Sequence, residues 1–297
     1  MGEQSCAIKD VQPECIMSGV VSPFEELCVV KRRTSIRVGV GGWTFEPWRG
    51  SFYPAGLPHK RELEYASRQL TSIEVNGTYY GAQKPESFAR WREETPDGFV
   101  FSVKGPRFTT NRRTLAEAGP SIERFISGGV LQLKEKLGPI NWQFLPTKQF
   151  EPDDFAAFVK LLPASADGRT LRHVVEVRHR SFAHADFIAL LRAHGVGVVL
   201  ADNDKYVQLH DPTADFIYVR LQRASEQEET GYSTDMLAAW TERARSWSAG
   251  KVPASLERIA PDERKPPSTR DVFVYFINGF KPKAPTAAMA LMGRLAG

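Results

Sequence analysis

The sequence predicts a single α/β domain of TIM type, a (β/α)8 barrel with irregular loops at its mouth, and three observations carry that prediction. Short runs of branched and aromatic residues alternate with helix-like stretches, the mark of a parallel sheet with helical crossovers. The extended runs number eight, the count at which such a sheet commonly closes. Several of the runs also place polar residues on alternate positions toward their C-terminal ends, which form the mouth of a parallel barrel and house its sites.

The chain has 297 residues, enough for one such domain of about 250 residues. Its 42% hydrophobic and 25% charged residues are ordinary for a globular protein. A net charge of +4 permits contact with phosphates but falls short of a nucleic-acid footprint. The three cysteines, Cys6, Cys15 and Cys28, lack the spacing of a disulfide framework or a zinc site and fit a reducing compartment. No apolar run approaches the ~20 residues of a membrane span, and the N-terminus does not read as a signal peptide, so the expectation is a cytoplasmic protein with no membrane partner.

Residues 1–35 show no sustained periodicity and read as a poorly ordered N-terminal extension, leaving 36–297 as the barrel domain. The first strand, from Ile36, runs into Gly41-Gly42-Trp43, where glycine permits tight turning or close approach of a ligand. Residues 59–70 read as helix and 72–76 as strand; 85–94 as helix, with Pro85 suited to its first turn, and 99–104 as strand. A helical region runs through Leu137, then a strand at 140–144. Glu151-Pro152-Asp153-Asp154 opens a helix, acids being favourable at that end. Strand 173–178, helix 183–194 and strand 197–202 follow, and the next crossover is too short for a long helix. Strand 216–221, helix 234–248, strand 271–276 and helix 285–295 complete the series.

The strand His173-Val174-Val175-Glu176-Val177-Arg178-His179 sets Val175 and Val177 on one face and Glu176 and Arg178 on the other. A buried parallel strand is usually hydrophobic throughout, so two charges on one face call for an internal ion pair or a site. The same departure recurs as Glu74 with Asn76, Ser102 with Lys104, and Tyr218 with Arg220. Two loops after strands also carry charge, Arg107, Arg112 and Arg113 within 105–130 and Glu226, Glu228 and Glu229 within 222–233.

Read together, Gly41-Gly42-Trp43, Trp48-Arg49-Gly50-Ser51-Phe52-Tyr53-Pro54, Glu74-Val75-Asn76-Gly77-Thr78-Tyr79-Tyr80 and Thr95-Pro96-Asp97-Gly98-Phe99 resemble the YecE-like family. Val103-Lys104, Leu137-Gly138-Pro139, Gln143, Glu176-Val177-Arg178-His179, Ala201-Asp202, Tyr218-Val219-Arg220 and Val274-Tyr275-Phe276 continue the resemblance in the family's order. The resemblance implies a TIM barrel similar to those of the xylose isomerase and endonuclease IV class, hence carbohydrate or phosphodiester substrates by analogy. Two positions depart from the family pattern: Phe144-Leu145-Pro146 keeps one proline of a pair, and Ala287 stands where the family carries a second asparagine after Asn278.

Glu74, Glu176 and Asp202 are the candidate catalytic carboxylates, converging from different strands; crowding would raise at least one pKa toward neutrality, as a general acid or base needs. Lys104, Arg178 and Arg220 supply fixed positive charge for a phosphate, a carboxylate or an oxyanion. Trp43, Asn76, Gln143, His179 and Asn278 complete the candidate binding set. The alternative is internal neutralisation, Glu176 with Arg178 or Arg220 and Glu74 with Lys104. His179 is the one plausible mouth ligand among the histidines, so a multi-metal site is not expected; a single Mg²⁺ held by carboxylates and water is the metal alternative, and with no Gly-x-Gly-x-x-Gly or Walker loop no cofactor is expected. For Trp48 and Tyr80, core packing is the favoured role. The expected partner is an anionic small molecule, phosphorylated or carboxylated, sugar-like compounds included, bound with or without acid–base turnover; a nucleic acid is the alternative partner.

Overall fold

The computed structural model of the chain describes residues 36–262 and 267–297, so the expectation for 1–35 lies outside the described residues. Among the described residues, eight parallel strands close into a barrel: β1 (Ile36–Gly41), β2 (Ser72–Val75), β3 (Val100–Lys104), β4 (Leu137–Gln143), β5 (His173–Glu176), β6 (Gly197–Asp202), β7 (Phe216–Leu221) and β8 (Asp271–Phe276). Each strand pairs with its neighbours in chain order, and β8 returns to β1 with Val38 opposite Val274. The crossovers carry α1 (Glu62–Gln69), α2 (Pro85–Glu94), α3 (Gly119–Ser127), α4 (Pro152–Leu161), α5 (Ala185–His194) and α6 (Thr234–Ser248), and α7 (Ala284–Ala296) follows β8. The β6–β7 crossover has no helix among the described residues, as its length predicts.

The alternation of side chains creates two cores. Val38, Ile73, Phe101, Val175 and Val219 point outward and pack under the helices, while Val100, Val174, Phe216, Tyr218, Phe273 and Tyr275 fill the inside of the barrel. Full burial of a large apolar side chain contributes about 1.5–3 kcal/mol, so the double layer is the main source of stability. The helix starts obey local rules: Pro85 and Pro152 occupy first turns, and Ser233 caps α6 by accepting from the Met236 amide at 3.2 Å.

Backbone proximity fixes one residue of β1. A Cβ on Gly39 would lie 1.8 Å from the Ser72 carbonyl oxygen, so only glycine lets β1 sit against β2 there. Strand β4 begins at Leu137, earlier than its sequence pattern suggests, because a 3₁₀ segment ends at Lys136. A small hairpin, Ser165–Ala166 with Arg169–Thr170, has no counterpart in the sequence expectation.

Candidate functional site

Of the polar positions on alternate residues, Glu74, Ser102, Glu176, Arg178, Tyr218 and Arg220 join in one network inside the barrel, Lys104 lies beside it, and Asn76 lines a neighbouring cleft. Arg220 on β7 is the hub: one terminal nitrogen donates to Glu74 Oε1 at 3.0 Å and the other to Glu176 Oε2. Glu74 Oε2 accepts from the Tyr218 hydroxyl at 2.6 Å and from Asn141 Nδ2 at 3.4 Å. Glu176 Oε1 accepts from Arg178 through Nε at 3.1 Å and a terminal nitrogen at 2.7 Å. Every carboxylate oxygen of the pair therefore has a donor, and a cation held by both glutamates would have to displace Arg220.

These contacts fix the protonation states. Burial alone would raise the Glu176 carboxyl, but Arg220, then Arg178 and Lys104, more than offset it and hold it down to about 2. The expectation of a carboxylate raised toward neutrality by crowding is thus reversed at Glu176, because the guanidiniums are closer than a second free carboxylate. Burial, with the negative charge of Glu74 next, pushes the Tyr218 phenol well up and keeps it a donor. The Tyr218 hydroxyl also lies 2.8 Å from Ser102, whose hydroxyl donates to the Pro139 carbonyl at 2.6 Å, so the network is anchored to the backbone below it.

Lys104 ends β3 with its ammonium 2.6 Å from Gln143 Oε1 and 4.2 Å from the centre of the Tyr79 ring. It is 5% exposed and forms no direct ion pair with a carboxylate among the described residues, so the alternative of a Glu74–Lys104 pair gives way to Arg220, which occupies Glu74 instead. Burial, then repulsion from Arg220, lowers its pKa to about 8. Two threonines place this pair. Thr78, in a single helical turn after β2, donates to the Lys104 carbonyl at 2.7 Å, and Thr110, in a similar turn after β3, to the Gln143 carbonyl at 2.6 Å.

Asp202 does not join the glutamates. It follows Val198 and Leu200 on the outward face of β6 and pairs with Arg223 at 3.1 Å; burial raises its carboxyl, with Arg223 the main opposing charge. His179 stands at the start of the 3₁₀ turn Arg180–Phe182, its Nδ1 accepting from the Ser181 amide at 3.2 Å. Asn278 is exposed after β8. His173 lies away from the mouth, accepting from Trp142 Nε1 at 3.1 Å and donating through Nε2 to the Pro163 carbonyl at 2.8 Å; burial lowers it to about 4 and keeps it neutral. No group of three or more His, Cys, Asp or Glu side chains that could hold a metal occurs among the described residues. No helix among them is long and apolar enough to cross a membrane.

Trp43 is half-buried against Trp91, edge to face at 5.1 Å, and lines a cleft of about 250 Å³ with Gly41, Asn76, Gln83 and Lys281. Trp48 is fully buried as expected, whereas Tyr80 is 70% exposed because it sits on the outer side of the turn after β2. Sequence reasoning passed over Asn141 and Tyr206, the latter lying 4.8 Å beneath the Arg178 guanidinium. Asn141 alternates with Gln143 on the same strand face, a signal that could have found it.

Residues 37–297 match the family described as "Protein of unknown function DUF72". The UPF0759 protein YecE of Escherichia coli K12 is 29% identical over 150 residues, a match covering 50% of this chain and 50% of that protein, so the alignment spans about half the length of the curated relative. A DUF72 family crystal structure from Thermotoga maritima superposes with a TM-score of 0.69 at 23% identity, covering 88% of this chain and 99% of that one. A second, from Enterococcus faecalis, gives 0.65 at 16% identity over 89% of this chain and 96% of that one. Both likenesses speak to the barrel fold. The family match covers nearly all of the described barrel, and the chain belongs to the DUF72 family of YecE-like TIM-barrel proteins.

Proposed function

We propose that the barrel mouth binds a small anionic molecule, phosphorylated or carboxylated, with Lys104 and Arg178 holding its charge. The observation that carries this reading is the charge balance. Lys104, Arg178 and Arg220 face Glu74 and Glu176, and the surplus cation is Lys104, buried and bound to a neutral amide. A buried ammonium with no carboxylate in direct contact, its nearby glutamates already taken by Arg220 and Arg178, is costly, and an anion supplied by the ligand would offset that cost.

The acid–base role expected of Glu176 passes to Lys104 in this reading. Glu176 stays ionised and orients Arg178 and Arg220, whereas Lys104, near 8, changes charge close to neutral pH. Ligand binding is the first claim; turnover of that ligand would use Lys104 as its proton carrier.

Thermal unfolding with sulfate, phosphate, small carboxylates and a short single-stranded oligonucleotide, at low and moderate salt, tests the reading. A ligand at about 100 times its Kd stabilises by about 2.7 kcal/mol. Stabilisation by a small anion, lost in Lys104→Met, supports the proposal. A shift with oligonucleotide alone, vanishing with salt, favours nucleic-acid binding instead. No shift with any of them leaves the polar network as internal ion pairing.

A further inference from the structure

The cleft beside the mouth carries polar groups that the network around Arg220 does not use. Its wall is Trp43, Phe45 and Trp91, and its polar groups are the amides of Asn76 and Gln83 and the ammonium of Lys281. The Asn76 side chain makes no hydrogen bond among the described residues, and Gln83 makes one long contact, 3.4 Å to the Gly81 carbonyl. Lys281 is packed 4.4 Å from the centre of the Phe45 ring and 5.6 Å from that of Trp48, with no carboxylate paired to it among the described residues. Burial lowers its pKa.

Two features join this cleft to the anion site. Gly41 lines the cleft and is the register partner of Glu74 in the neighbouring strand. A Cβ there would lie 2.8 Å from Asn76 Nδ2 and 3.1 Å from Ile277 Cδ1, so the missing side chain leaves room for the Asn76 amide over the barrel interior. The helical turn Gly77–Tyr80 begins in the cleft and ends with Tyr79 against Lys104. The volume of about 250 Å³ lies just below the ~300–1,000 Å³ of pockets for drug-sized ligands, which suits a single ring. Side-chain amides both donate and accept, matching hydroxyl groups, which do the same, and an aromatic wall suits the apolar face of a saturated ring.

Resting on the anion-binding reading, we propose that this cleft is a second subsite of the same mouth and takes the hydroxyl-bearing ring of a monosaccharide whose phosphate or carboxylate is held at Lys104 and Arg178. The occupant is therefore a sugar phosphate or sugar acid of single-ring size. Asn76, Gln83 and Lys281 bind the ring hydroxyls and Trp43 packs against its face.

The test compares inorganic phosphate with ribose 5-phosphate and glucose 6-phosphate by calorimetric titration of the full chain. At least one sugar phosphate should bind about tenfold or more tightly than phosphate, and Trp43→Ala should remove that advantage. Gln83→Ala, at a half-buried and weakly bonded position, should reduce the advantage without the packing loss that Trp43→Ala risks. Phosphate binding with no preference for either sugar phosphate, or a preference that survives both variants, overturns the subsite and leaves the anion site standing. Failure of phosphate and both sugar phosphates to bind overturns the anion site and the subsite with it.

Discussion

Arg220 on β7 and Glu74 on β2 meet 3.0 Å apart across the barrel interior, joining residues 146 positions apart in the chain. Because Arg220 also holds Glu176, one guanidinium ties three strands together at the level where the mouth begins. Removing one partner from such a buried group strands the others without compensation, at a cost of about 3–5 kcal/mol. Arg220→Met should lower the unfolding free energy by about that amount in urea denaturation. A loss below about 1 kcal/mol would mean that water already solvates the two glutamates.

Tyr218→Phe removes one donor to Glu74 and the partner of Ser102 while preserving ring packing. A buried acceptor losing its donor costs about 1–3 kcal/mol, so this variant should be destabilised in that range and less than Arg220→Met. The reverse order would place the weight of the network on the phenol.

Acid should weaken the fold through Glu176. Its folded pKa of about 2 lies below the ordinary 4.5, so its stabilisation is complete above about 4.5 and is lost as the pH falls toward 2. Unfolding curves collected down this range should show stability falling with pH, and Glu176→Gln should flatten the slope. An unchanged slope in Glu176→Gln would assign the acid sensitivity to other carboxylates.

Gly39→Ala and Gly41→Ala should separate. The first brings a Cβ onto the Ser72 carbonyl oxygen at 1.8 Å, a backbone atom that cannot yield, and should abolish soluble folded protein. The second meets only the ends of the Asn76 and Ile277 side chains, which can shift, so the protein should fold with its unfolding temperature little changed. Its preference for sugar phosphate over phosphate should fall. Equal folding of both variants would contradict the close approach of β1 and β2.

The barrel was legible because its signal is local. Strands 197–202, 216–221 and 271–276 and helix 234–248 coincide with their sequence expectation, since period-two alternation and helical spacing are read within each segment. The same alternation identified Glu74, Lys104, Glu176 and Arg220 as facing one interior. What the sequence did not determine is who pairs with whom. Lys104 and Glu74 sit on adjacent strands, yet Glu74 takes Arg220 from across the barrel, a choice set by strand order, tilt and side-chain reach. Asp202 falls outside the network because its parity with Val198 and Leu200 turns it to the outward face of its strand, where Arg223 meets it. The turns Gly77–Tyr80 and Arg107–Thr110, whose threonines hold the Lys104 and Gln143 carbonyls, are too short for helical periodicity to register.

Sulfate titration at about pH 7 and about pH 9 tests the anion site most directly, because sulfate keeps its charge while a group with pKa near 8 falls to about one-tenth protonated. Wild type should bind sulfate about tenfold more weakly at the higher pH, and Lys104→Met should bind weakly at both. Equal affinity at the two pH values, or sulfate binding that survives Lys104→Met intact, would contradict an anion site built on Lys104.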